Sequence, residues 1–217
     1  MTAAPLMNGY TDVPAGKLAF VTTSLQMLET APQRPEWNDA PFDIRPVIRP
    51  DLAWYRDLYQ RVGGDWLWFS RLQLTDVALS RILHDPDIAV YGLARSRPGA
   101  QTRVAATDRL DEGLLELDFR TPGHCEIAFF GVTQALIGQG AGRQLMNAAI
   151  AYAWERPINR LWLHTCTGDH PGALAFYIRS GFTPYKRQIE IADDPRLTGL
   201  LPETTARHVP LLRGPSA

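Results

Sequence analysis

Along the chain, apolar residues recur with a period of two in some stretches and of about 3.6 in others, and the changes of period mark out the elements. Lys17 to Leu28 is rich in Val, Thr, Phe and Leu and predicts a strand. Pro32, Pro35 and Pro41 predict a loop over 30–42. Asp43 to Ile48 predicts a short second strand, which Pro46 confines to a sheet edge or a bulge. Leu52, Tyr55, Leu58, Tyr59 and Val62 then fall at helical spacing behind Asp51, a good N-cap, with Gly63-Gly64 as the expected stop. Thr75 caps a further expected helix through Leu83, with Asp76 in its first turn.

From Asp87 the period returns to two. Ile88 to Ala94, Gly113 to Phe119 and Glu126 to Val132 predict three strands in an antiparallel meander. A glycine-rich turn, Gly138-Gln139-Gly140-Ala141-Gly142, leads into a helix whose apolar stripe is Leu145, Ala148, Ala149, Tyr152 and Ala153. Beyond Pro157 come an expected strand (Leu161 to Cys166), a short helix (Ala173 to Ile178) stopped by Gly181, and a strand from Phe182 to Ile191. One more strand is expected near Arg207 to Leu211. The order of elements gives an α/β fold class, with a mixed, mostly antiparallel sheet flanked by helices. Residues 1–16 carry little apolar pattern and are expected to be a mobile tail, leaving 17–212 as a single domain.

Composition narrows the function classes. The chain has 217 residues, 45% of them apolar and 21% charged, which suits one soluble globular domain with a full core. A net charge of −1 offers no electrostatic footprint for nucleic acid, and arginine supplies 20 of the 22 basic residues, scattered along the sequence. No apolar run approaches the length of about 18 residues that a membrane helix needs, and no signal peptide is visible. Two cysteines do not make a disulfide framework. A cytoplasmic location with no nucleic-acid or membrane partner is the expectation.

The candidate chemistry centres on the glycine turn. A strand feeding a glycine-rich turn that opens a helix presents inward N–H groups without obstructing Cβ atoms, and the helix start adds partial positive charge. Each such contact is worth about 0.3–1 kcal/mol when exposed, so several must converge to hold a pyrophosphate. No Lys-Ser/Thr pair follows the glycines, which excludes a Walker P-loop, and the spacing of Gly138, Gly140 and Gly142 is not that of a dinucleotide fingerprint. His124, Cys125, His164, Cys166 and His170 alternate along strands or fall at bends, so no metal site is expected.

Three blocks together resemble the GNAT superfamily of acyl-CoA-dependent N-acetyltransferases: Glu126-Ile-Ala-Phe-Phe-Gly-Val132, Ile137-Gly-Gln-Gly-Ala-Gly142, and Ala173-Leu-Ala-Phe-Tyr177-Ile-Arg-Ser-Gly-Phe182. The resemblance is close from about residue 87 to 185 and looser upstream. It implies a GNAT fold with splayed central strands at an acetyl-CoA site, with no metal. Gly140 and Gly142 match the family turn, but Ile137 stands where that turn has Arg or Gln, and Arg143 offers a charge one residue into the helix. The cofactor-binding residues implied are Phe130, Gly131, Val132, Ile137, Gly138, Gln139, Gly140, Ala141, Gly142, Arg143, His170, Ala173 and Phe176. A bulge before the turn is also implied, and the backbone around Phe130 and Val132 is expected to pair with the pantetheine arm and polarise the acetyl carbonyl.

Two catalytic roles follow from the same resemblance. Tyr177 matches the tyrosine that faces the departing thiolate. Tyrosine titrates near 10 and a thiol near 8.5, so full transfer runs uphill by about 2 kcal/mol and a hydrogen bond or a late proton is expected. Glu126 holds the register of a glutamate base, and strand alternation places Glu126, Ala128 and Phe130 on one face. A carboxylate near 4.3 faces an ammonium near 10.4, a gap of about 8 kcal/mol, which calls for burial, a relaying water or an amine of lowered pKa. Glu116 and Asp118 are the rival bases, or else attract a cationic acceptor. Trp66 and Trp68 are expected to wall the acceptor pocket, against the alternative of core tryptophans under a loop. The leading reading is acetyl transfer to a primary amine of a small molecule. A protein lysine or N-terminal acetyltransferase and a non-catalytic acyl-CoA sensor are the alternatives, and a homodimer is compatible with each.

Overall fold

The computed structural model describes residues 8–36, 42–96 and 110–214, and among them seven strands and four α-helices. The strands are β1 (Lys17–Met27), β2 (Phe42–Pro46), β3 (Ile88–Arg95), β4 (Gly113–Asp118), β5 (His124–Val132), β6 (Arg160–Cys166) and β7 (Thr183–Asp193). The helices are α1 (Leu52–Gly63), α2 (Asp76–Leu83), α3 (Ala141–Trp154) and α4 (Ala173–Arg179). The strands form one sheet in the order β2-β3-β4-β5-β6-β1-β7, antiparallel throughout except between β5 and β6. This is the expected mixed α/β fold. β2 lies at the edge, where Pro46 at its end removes no ladder bond from a central strand.

Side-chain period explains the two layers. Leu145, Met146, Ala149, Ile150 and Ala153 of α3 pack on Leu115, Leu117, Ile127, Leu161 and Leu163, the inward set on one face of the sheet. Tyr55, Leu58, Tyr59 and Val62 of α1, with Leu79 and Leu83 of α2, cover the other face over Ile88, Val90 and Leu114. Each buried Leu, Ile, Val or Met among them contributes about 1.5–3 kcal/mol relative to exposure. The caps stand as expected: Asp51 accepts from the Trp54 N–H and Thr75 from the Ala78 N–H.

The fold departs from the pattern in three places. The expected strand near Arg207 is a series of turns, because the Arg196 guanidinium, paired with Asp194, donates to the carbonyls of Ala206 (3.3 Å) and Val209 (2.9 Å) and curls the segment back over Leu18 and Phe20. α1 ends at Gly63 with Gly64 as its C-cap, as expected, but through right-handed rather than left-handed glycines. A Cβ at Gly63 would lie 2.1 Å from the Trp68 ring, so glycine is required by the tryptophan that packs on it. Finally, Glu116 pairs with Phe129 and Leu117 with Ile127, so Ala128 is an inserted residue in β5, a bulge. The tail expected before Lys17 lies outside the described residues over 1–7.

Candidate active site

The bulge at Ala128 decides which way β5 presents its side chains. Cys125 and Ile127 point to the α3 face, and past the extra residue Phe130 and Val132 do so as well. Phe129 joins the α1 face, where it packs against Tyr59 and Trp68. The expectation that Glu126, Ala128 and Phe130 share a face is therefore corrected: an inserted residue inverts the alternation.

Next to the bulge the sheet opens. The parallel ladder of β5 and β6 holds only from His124/Arg160 to Glu126/Trp162, although both strands continue. Thr133 N–H donates to Glu112 O at 2.7 Å, so by strand alternation the N–H and C=O groups of Phe130 and Val132 face away from β4, into the gap. A cavity of about 520 Å³ runs through it from one face of the sheet to the other.

On the α3 face the cavity is lined by Ile137, Gly138, Gly140, Gly142, Arg143, Ala173, Phe176 and Tyr177, with Phe130, Gly131 and Val132 at its centre. Gly138 and Gly140 take positive φ values of 80° and 88°, conformations that favour glycine, and open space surrounds the missing Cβ atoms of Gly138 and Gly142. Gln139 and Ala141 belong to the turn but not to the lining: the Gln139 amide donates to Ala135 O, and Ala141 is buried in the core. Ile137 supplies no charge, but Arg34 and Arg179 join Arg143 in the lining. Arg34 arrives on a segment clamped to α3, with Asn147 bonding both the N–H and the C=O of Arg34 and Arg143 donating to Pro35 O at 2.8 Å. Burial, then the charges of Arg143 and Arg179, push the Arg34 pKa down. A crowded cationic cluster above an open glycine turn fits the diphosphate of an acyl-CoA.

Tyr177 is buried among Phe130, Phe176 and Phe182. Burial, reinforced by Asp169, raises its pKa well above the ordinary tyrosine value, so its hydroxyl stays protonated and keeps a hydrogen to donate. Burial also pushes the Cys166 thiol up to about 12, which leaves little thiolate for covalent catalysis.

The opposite mouth is aromatic. Tyr59, Trp66, Trp68, Phe69, Phe129 and Phe20 line it. The Trp68 indole donates to Asp169 Oδ1 at 3.3 Å, and Trp66 lies against the rings of His170 and His208, at 5.1 and 6.0 Å. His170 also caps Gly172 N–H through Nδ1 at 3.0 Å. Among the polar residues in this half are Ser70, His164, Asp169, His170 and Glu190.

Besides Gln139 and Ala141, the three expected carboxylates stand outside the lining. Glu116 is fully buried, accepting from the Tyr55 hydroxyl and from Arg71 at 2.6 Å, so it is a structural ion pair beneath α1. Asp118 is held by Arg120 at the far end of β4. Glu126 is set back, its Oε1 3.6 Å from Nδ1 of His164, which does line the cavity. His164, Glu190 and Arg34 line the cavity without belonging to any of the sequence blocks that mark the site, and Arg179 lies in the last of those blocks without a role implied for it there. Alternation of Trp162, His164 and Cys166 was the signal available for the first.

A profile of the Acetyltransferase (GNAT) family matches residues 75–182, about half the chain. A mycothiol acetyltransferase from Jonesia denitrificans is 39% identical over 64 residues, 30% of this chain and 20% of that protein. The chain thus spans about a fifth of that relative. Among solved structures, a GCN5-related N-acetyltransferase from Sphaerobacter thermophilus superposes with a TM-score of 0.54 at 15% identity, covering 86% of this chain and 53% of that one. A protein of unknown function from Staphylococcus epidermidis gives 0.53 at 16% identity, covering 82% and 63%. At these identities the likeness is one of fold.

Proposed function

The chain belongs to the GNAT acetyltransferase superfamily, and on that premise we propose that it transfers an acetyl group from acetyl-CoA to a primary amine of a small molecule by direct attack. The observation that carries this reading is the continuous cavity through the gap between β5 and β6, which joins an anion-binding half to an aromatic half. The glycine turn with Arg34, Arg143 and Arg179 would hold the diphosphate of the acyl donor. The outward N–H groups of Phe130 and Val132 would orient the arm and aim a donor at the carbonyl oxygen, the arrangement that stabilises a developing oxyanion by several kcal/mol. The Tyr177 hydroxyl would donate to the departing sulfur, and Glu126 would supply the negative charge on the base side.

Walls of Tyr59, Trp66, Trp68 and Phe69 favour a compact acceptor carrying apolar or aromatic surface over an extended protein segment. The retained tyrosine and the gap aimed at it favour an enzyme over a sensor. The test is coenzyme A calorimetry followed by thiol release from acetyl-CoA across arylalkylamines, amino sugars and a lysine-containing peptide. Turnover on the peptide alone would overturn the small-molecule reading, and binding with no turnover on any acceptor would favour the sensor.

A further inference from the structure

We propose that His164, oriented by Glu126, is the group that takes the proton from the acceptor amine; this rests on the acyl-transfer reading of the cavity. Glu126 holds the last paired position of β5 against β6, and His164 lies two residues beyond its partner Trp162. Both side chains rise from the face that carries Phe129, on either side of the opening strands. The carboxylate meets Nδ1 of the imidazole at 3.6 Å, and of the two residues only His164 lines the cavity. At 3.6 Å the carboxylate is an ion-pair partner rather than a hydrogen-bond acceptor, and its charge favours a proton at Nδ1, which leaves Nε2 as the nitrogen for an acceptor. Glu126 is thus a positioning residue.

The charged groups facing His164 come from three elements: Glu126 on β5, Asp169 on the loop after β6, and Glu190 on β7. On β1, Ser24 lies opposite His164 and Thr22 donates to Glu190 at 3.5 Å, while Lys186 pairs with Ser24 from the far side. Asp169 is occupied elsewhere, accepting from Thr165 Oγ1 at 2.7 Å, Cys166 N–H at 2.8 Å and the Trp68 indole. It is a wall support, not a free base. The contact with Glu126, then the charges of Asp169 and Glu190, raise the histidine above its ordinary pKa against the opposing effect of burial.

The proton balance closes. An acceptor that arrives as an ammonium gives one proton to Nε2 of His164 and becomes a neutral amine. Its nitrogen lone pair forms the new C–N bond, and the C–S bond breaks with its electrons going to sulfur. The surplus proton on the new amide nitrogen passes to the departing sulfur, and the Tyr177 hydroxyl, which donates a hydrogen bond to that sulfur, ends the step protonated as it began. The imidazolium then releases its proton to water, for a net yield of amide, free thiol and one proton.

Two measurements test this on the full chain. In 15N-histidine NMR, with His164→Gln identifying its resonance among the five histidines, the midpoint of His164 is expected to lie above about 6.5 and to fall in Glu126→Gln. A midpoint unmoved by that substitution removes Glu126 from the relay. The second is the pH dependence of kcat/KM for phenethylamine, chosen for the aromatic walls. The native enzyme is expected to plateau once His164 is neutral. His164→Gln is expected to lose about a hundredfold near pH 7 and to climb steadily toward the amine's own pKa. The same plateau in His164→Gln overturns the proposal. Calorimetry with coenzyme A keeps the two ideas apart: no heat with the native chain sinks acyl transfer itself, whereas retained heat with an unaltered pH profile sinks only the relay.

Discussion

At the scale of single residues, the proposed mechanism separates a proton donor from a proton acceptor by environment. Tyr177 is enclosed by aromatic rings, and burial locks its proton on through the working pH range. Tyr177→Phe is expected to lower turnover at least about tenfold with little change in acetyl-CoA affinity by calorimetry. Equal turnover would remove the hydroxyl from the mechanism. On the other side, a carboxylate alone leaves a gap of about 8 kcal/mol to a lysine-like amine, whereas an imidazole near 6.5 leaves about 5 kcal/mol, and a raised histidine narrows it further. The sequence shows Glu126 and Tyr177 by motif but hides the histidine, since His164 acquires meaning only where β5 and β6 part. It also hides the bulge, because an inserted Ala128 looks like ordinary alternation until the partner strand is known. Gly63 is legible only as a helix stop, yet its role is steric. Gly63→Ala is expected to lower the melting temperature and raise the KM for the acceptor, since the new methyl would displace Trp68.

At the scale of elements, the turn from Gly138 into α3 acts as one unit. Gly142 looks into open space without a strained φ, so Gly142→Ala should fold and bind, while Gly142→Glu should abolish coenzyme A binding by placing bulk and negative charge in the cradle. Heat of coenzyme A binding distinguishes the two variants. Arg34 tests the added charge. Arg34→Ala is expected to weaken coenzyme A about five- to tenfold and to flatten the salt dependence of binding, consistent with the loss of one charge-assisted contact. The strands, the caps at Asp51 and Thr75 and the glycine turn were readable from local spacing. The Arg34 clamp was not, because Asn147 and Arg34 are 113 residues apart and nothing local marks the pair.

At the scale of the whole molecule, the C-terminal segment completes a wall that begins at Trp66. Arg196 is buried, paired with Asp194, and hooks the carbonyls that bring His208 against the Trp66 ring. Alternating residues there read as a strand, but one buried guanidinium offers those carbonyls better partners than a sheet edge does. Breaking a buried pair from one side costs about 3–5 kcal/mol, so Arg196→Met should lower the melting temperature markedly and raise the acceptor KM more than that for acetyl-CoA. Acid should act on the same pair. Burial pushes the Asp194 pKa up, but hydrogen bonds from Arg196 outweigh it and hold the carboxyl low. Its stabilising contribution is therefore present above the unfolded value of about 3.9 and lost as pH falls through the folded one, a loss that thermal melts from pH 6 down to 3 would follow.

The gap between β5 and β6 is open at both faces of the sheet, so on the proposed reading donor and acceptor would approach through separate doorways and neither would obstruct the other's exit. Initial-rate kinetics should then show intersecting double-reciprocal lines with no compulsory order of addition. Parallel lines would instead reveal an acylated enzyme, a role for which the Cys166 thiol in the lining, pushed up to about 12, is poorly suited.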